Sequence, residues 1–126
     1  MFAGPGPDAS LGLADNPWAA AAPGSAGIVA YFWHAPPSVL RASGPGDSGD
    51  KVLWVVHGAP GVPLTVVAHT RFAGPPVVRL TVPAALSPGG NYPSLIALPS
   101  PGCWNFDLSV GGASATLDIL VAPRSS

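Results

Sequence analysis

The sequence predicts an all-β domain, a sandwich or barrel of short strands. Three observations carry this. Apolar residues recur in short runs with polar alternate positions, the period of a strand with one wet face. Gly and Pro, 16 and 17 of 126 residues, separate the runs at turn spacing. No run has the apolar period of an amphipathic helix, and the helix-friendly stretch 19–22 stops at Pro23. A Gly and Pro content this high approaches that of disordered chains. The Val, Leu, Ile, Trp and Phe of the alternating runs argue for a packed core instead.

Residues 1–25 show no strand period and are rich in Ala, Gly and Pro, so they read as a loose leader with Trp18 as an anchor. A single β domain follows at 26–123, as a chain of this length supports one core. Its seven strands are expected at 27–33, 51–57, 63–69, 77–82, 94–98, 103–110 and 115–121. The run 51–57 is apolar on both faces, which suits a central strand covered on both sides. The segment 58–62, rich in Gly and Pro, is read as turning it back into an antiparallel hairpin with 63–69.

The last two strands alternate most clearly. Trp104, Phe106, Leu108 and Val110 share one face, and Asn105, Asp107 and Ser109 the other. After Gly111-Gly112, a hairpin corner because glycine reaches positive φ at little cost, Leu117, Ile119 and Val121 face away from Thr116 and Asp118. Trp104 is therefore expected in the core. Cys103 points the opposite way and is expected as a small hydrophobe buried under a loop or in the opposite layer. As the chain's single cysteine it has no disulfide partner within the chain. Its neighbours Gly102, Trp104 and Asn105 give no electropositive setting for a reactive thiolate.

Charge excludes whole classes of function. Charged residues are 9 % of the chain, Glu and Gln are absent, and the formal net charge is −1. Nothing here is an electrostatic footprint for nucleic acid or an anionic membrane. The uncharged stretch 16–40 is broken by Pro17, Pro23, Gly24, Gly27, Pro36 and Pro37, too densely for a spanning helix. Met1-Phe2-Ala3-Gly4 starts without the basic residues and apolar core of a signal peptide.

Four constellations bear on chemistry. Gly46-Asp47-Ser48-Gly49-Asp50 resembles the Gly-Asp-Ser-Gly-Gly-Pro nucleophile loop of chymotrypsin-like proteases. Asp50 and Lys51 replace the second Gly and the Pro, and His34 is the only histidine upstream to act as base, so a polar turn is the reading. His57 and His69, at opposite ends of the expected hairpin, lie roughly 20 Å apart and cannot share an ion. Asp107 and Asp118 belong to the polar faces of the last hairpin, where a solubilising role is expected before catalysis. Trp18, Trp33, Trp54, Trp104, Tyr31 and Tyr92 supply either core or a sugar-stacking platform. No cofactor or metal ligand set is expected.

Three segments carry a resemblance to a family. They are Gly49-Asp50-Lys51-Val52-Leu53-Trp54-Val55-Val56, Gly89-Gly90-Asn91-Tyr92-Pro93-Ser94 and Pro99-Ser100-Pro101-Gly102-Cys103-Trp104. Together they resemble an uncharacterised group of bacterial secreted proteins and lipoproteins, in which a Lys-x-Leu-Trp strand precedes a Gly-rich segment ending in Pro-Ser and a Pro-x-x-Gly-Cys-Trp turn. The resemblance spans about residues 49–121 and implies an immunoglobulin-like β-sandwich of about seven antiparallel strands in the cell envelope. It implies no catalytic residue. An extracytoplasmic location, secreted or lipid-anchored, is the expectation it gives, with the export signal outside this sequence.

The expected function is a non-catalytic accessory domain that binds a protein or a surface polymer. A carbohydrate-binding module with coplanar exposed aromatics is the alternative, and a small hydrolase the second. Recognition is expected on loops held by a rigid sandwich. The two longest are 35–50, with Arg41 and Asp47, and 84–93, with Asn91 and Tyr92, at one end of the domain.

Overall fold

A computed structural model describes residues 16–34, 39–44, 49–57, 62–70, 77–83 and 90–123. Among them are nine strands: β1 Trp18–Ala20, β2 Ile28–Phe32, β3 Leu40–Arg41, β4 Asp50–Val56, β5 Leu64–Thr70, β6 Val77–Val82, β7 Asn91–Ile96, β8 Gly102–Val110 and β9 Ala113–Ala122. They form two sheets, ordered β1-β2-β4-β7 and β3-β9-β8-β5-β6. All pairs are antiparallel except β3 with β9. The all-β expectation holds, and each of the seven expected strands has a counterpart.

Period-2 alternation builds the core between the sheets. Phe32, Val52, Trp54 and Tyr92 from one sheet meet Leu64, Val66, Trp104, Phe106, Leu108 and Ile119 from the other. Trp104 is fully buried, and its indole N–H donates to the Ser100 carbonyl at 2.9 Å. Trp54 donates to Ser94 Oγ at 3.1 Å, and that hydroxyl donates on to the Val52 carbonyl at 3.0 Å. Each buried polar handle is thus satisfied, so these large side chains contribute their full apolar burial, roughly 1.5–3 kcal/mol each.

The outer face of the four-stranded sheet is also apolar in its centre. Val29, Tyr31 and Val55 are buried there, with Trp18 and Leu53 packed against them. This explains why β4 reads as apolar on both faces. It also gives Trp18 the anchoring role expected of it, though by a different route. The stretch read as leader contributes β1, in which Trp18 lies opposite Tyr31. Beyond it, Ala22 crosses to the other sheet and exchanges backbone hydrogen bonds with Thr116 at 2.9 and 2.8 Å.

Other expectations are corrected. β4 and β5 are not a hairpin: β4 pairs with β2 and β7, and β5 with β6 and β8. The two strands belong to different sheets. β7 begins at Asn91, inside what was read as a loop. Val56 N–H donates to the Gly90 carbonyl at 2.9 Å, so alternation turns the backbone groups of residues 91, 93 and 95 away from β4. Pro93 thus stands at an edge position, where its missing N–H interrupts no ladder. Cys103 is exposed rather than buried, opposite exposed Leu120 on β9. The cause is plain: the face of β8 opposite Trp104 meets solvent.

Two glycines close the β4–β7 ladder. A Cβ on Gly49 (φ +96°) would lie 2.2 Å from the Ile96 oxygen, and one on Gly90 (φ +71°) 2.2 Å from the Val56 oxygen. Both backbone conformation and close approach select glycine there.

Candidate functional site

Chemistry-bearing side chains gather at the end of the sandwich where β2 finishes and β4 begins. Asp50 opens β4, Arg41 closes β3, and His34 follows β2 by two residues. The Arg41 amide donates to Asp50 Oδ2 at 2.7 Å. The Arg41 guanidinium donates to His34 Nδ1 at 2.8 Å, with Nε2 at 3.3 Å. His34 Nε2 lies 3.4 Å from Asp50 Oδ1. A guanidinium only donates, so the ring nitrogen nearest to it presents a lone pair and the other carries the hydrogen toward Asp50. Because β3 belongs to one sheet and β4 to the other, this trio also ties the two layers together.

Trp33, one residue before His34, is 41 % exposed. Lys51 Nζ stands 4.4 Å from the centre of its ring, in cation–π range. Lys51 in turn lies opposite Leu95, itself 55 % exposed. Asp50 is engaged by the Arg41 amide and His34, so its carboxylate does not neutralise the guanidinium directly. Among the described residues neither Arg41 nor Lys51 forms an ion pair with a carboxylate; the Asp50 and Asp107 carboxylates stand beside His34 and His69 instead. Beside this cluster Ser43 N–H donates to the Leu98 carbonyl at 2.7 Å. Ser43, Gly44, Ala97 and Pro99 line an open hollow of about 410 Å³.

The structure divides the four expected contact residues. Arg41 belongs to this cluster. Asp47, like Ser48 of the protease-like loop, lies outside the described residues. Asn91 and Tyr92 are at the other end: Asn91 pairs with Val55 and Tyr92 with Trp54, whereas Asp50 pairs with Ile96. Five strand residues separate Asp50 from Val55, about 17 Å at 3.4 Å per residue. Asn91 and Tyr92 therefore stand at the opposite end of the sandwich from Arg41 and Asp50. Tyr92 is moreover fully buried, its hydroxyl donating to the Val62 carbonyl. It is a core residue, not a contact residue.

Trp33, His34, Asp50 and Lys51 were not singled out as a group from the sequence. They come from two segments that meet only through sheet pairing. The one available signal was parity: Trp33 extends the Tyr31 face of β2 past the covered part of the sheet.

A second polar cluster lies on the outer face of the five-stranded sheet. His69 Nε2 is 3.0 Å from Asp107 Oδ2, and its Nδ1 is 2.9 Å from its neighbour's carbonyl, Thr70 O. Both ring nitrogens face acceptors, an arrangement only the imidazolium satisfies. The Thr70 carbonyl first, then the Asp107 carboxylate, raise the His69 pKa above its ordinary value. Asn105 Nδ2 donates to Thr116 Oγ1 at 2.6 Å and to Asp118 Oδ1 at 2.9 Å. Asp107 and Asp118 are thus staggered in register, opposite Thr116 and Asn105 respectively, each with its own partner. Among the described residues no three His, Cys, Asp or Glu side chains converge as a metal site.

Of the aromatics, Trp54, Trp104, Tyr31 and Tyr92 are fully buried, which leaves Trp33 as the exposed large aromatic among the described residues. Comparison with protein-family models, curated proteins and solved structures finds no match to this chain.

Proposed function

We propose that this chain is a non-catalytic, immunoglobulin-like accessory domain that works outside the cytoplasm and binds its partner through the Trp33–Arg41–Lys51 end. Strand order supports the fold reading. β2, β4 and β7 stand in one sheet as strands A, B and E do in an immunoglobulin domain. β9, β8, β5 and β6 stand in the other as G, F, C and C′, with β3 parallel to the last strand. β1 is an addition beside the first strand. The Gly-Cys-Trp turn and its family resemblance support the extracytoplasmic location.

The observation that carries the binding role is Lys51 against the exposed Trp33 ring, with Arg41 on the neighbouring His34 and, among the described residues, neither cation paired with a carboxylate. Rigidly positioned groups of this kind lose little entropy on binding. A neutral carbohydrate platform has less support, because it needs two coplanar exposed aromatics and the described residues offer Trp33 alone.

The test is capture from cell-envelope extracts on immobilised domain, comparing wild type with an Arg41→Ala/Lys51→Ala variant of unchanged circular dichroism. Partners recovered by the wild type and lost by the variant support the reading. Equal recovery by both overturns it.

A further inference from the structure

Resting on that reading, we infer that the ligand of this end is a carboxylated polysaccharide, a polymer of uronic-acid type. Three features select that chemistry. The Arg41 guanidinium is held by His34 through a single nitrogen, Nη2. Its remaining N–H groups form a fork that matches a carboxylate. Lys51, exposed and 4.4 Å from the Trp33 ring, adds a second positive charge against that ring. The part of Trp33 left open offers an apolar surface on which the C–H face of a pyranose can stack.

Trp33 and Lys51 continue the outer face of the four-stranded sheet, whereas Arg41 closes β3 of the other sheet, so the two cations come from opposite layers. A spread of cations beside one aromatic fits an extended chain with a repeated charge better than a small anion. Asp50 favours the same conclusion by its placement. Its Oδ2 is taken by the Arg41 amide and its Oδ1 lies 3.4 Å from His34, so both oxygens of the one acid among these residues are occupied.

Binding of tetragalacturonate and of its fully methyl-esterified form is measured by calorimetry at low and high salt. The expected result is binding of the acid form only, weakened by salt as screening sets in. Arg41→Ala and Lys51→Ala are each expected to weaken it about tenfold, which corresponds to about 1.4 kcal/mol. Trp33→Ala should weaken it while leaving the salt dependence in place, which a merely electrostatic site would not show.

Equal binding of acid and ester, or no binding of either, overturns the inference. Poly-aspartate bound as tightly as tetragalacturonate, with Trp33→Ala without effect, also overturns it and makes an acidic protein the partner. If extract capture still depends on Arg41 and Lys51 while the uronate fails, the ligand class falls and the binding end stands.

Discussion

The rings of Trp54 and Phe106 meet across the sandwich with centroids 6.0 Å apart and planes tilted by 44°. One belongs to β4, the other to β8, so the contact joins the central strands of the two sheets. Tilted pairs of this kind add about 0.5–1.5 kcal/mol beyond their apolar burial. Trp54→Ala is expected to cost about 3–5 kcal/mol, and Trp104→Ala a similar amount, read as lower urea midpoints. A wild-type midpoint in either variant would contradict the placement of these side chains.

Gly49→Ala should destabilise the domain by about 1–3 kcal/mol, because alanine resists positive φ and its Cβ meets the Ile96 carbonyl. Gly112→Ala makes the control, since a Cβ there meets nothing within 4 Å. Equal effects from the two substitutions would remove the steric explanation.

The His69 imidazolium predicts a pH dependence. Its folded pKa lies above the ordinary value of 6.5, so the folded state holds the proton more tightly than the unfolded chain. The contribution is therefore fully present below about pH 6.5 and is lost as pH rises through the raised value. Wild type should lose stability over that window relative to Asp107→Asn, in which one of the two acceptors is gone. An NMR titration should show the His69 pKa falling toward 6.5 in the variant. An unshifted titration would mean that the carboxylate does not hold the ring.

Cys103 is expected to react fully with a thiol reagent in the native protein, without denaturant. Cys103→Ser should change stability by no more than about 0.5 kcal/mol, as for an ordinary surface position. Protection of the thiol until unfolding would return it to the interior.

The sequence made the long strands legible because alternation survives any choice of partner. Val66, Trp104, Phe106 and Leu117 announce an inward face by spacing alone. β1 and β3 gave no such signal. Three residues or two cannot show a period, and these segments are strands only because neighbours offer unpaired backbone groups. Asn91-Tyr92-Pro93 reads as a loop by composition, and the reason it is not lies in which way one backbone N–H points. Cys103 was misjudged because a residue's average tendency to be buried was weighed above its parity with Asn105 and Asp107. At the candidate site Arg41 could be named from its loop. His34 and Asp50 could not be joined to it, since their meeting depends on β3 crossing to the sheet opposite β4.

β9 receives β8 along one side and, along the other, Ala22 at Thr116 and β3 at Val121 and Ala122. Of the described strands β9 is made last, and it is the one that the early segments wait for. Until it emerges, Ala22 and Leu40–Arg41 have no ladder to join, and β8 presents a bare edge. Such long-range closure is slow and leaves a half-built sheet open to intermolecular pairing. Expression of this domain should thus depend on rapid completion of β9, and truncations that remove β9 should aggregate rather than persist as folded monomers.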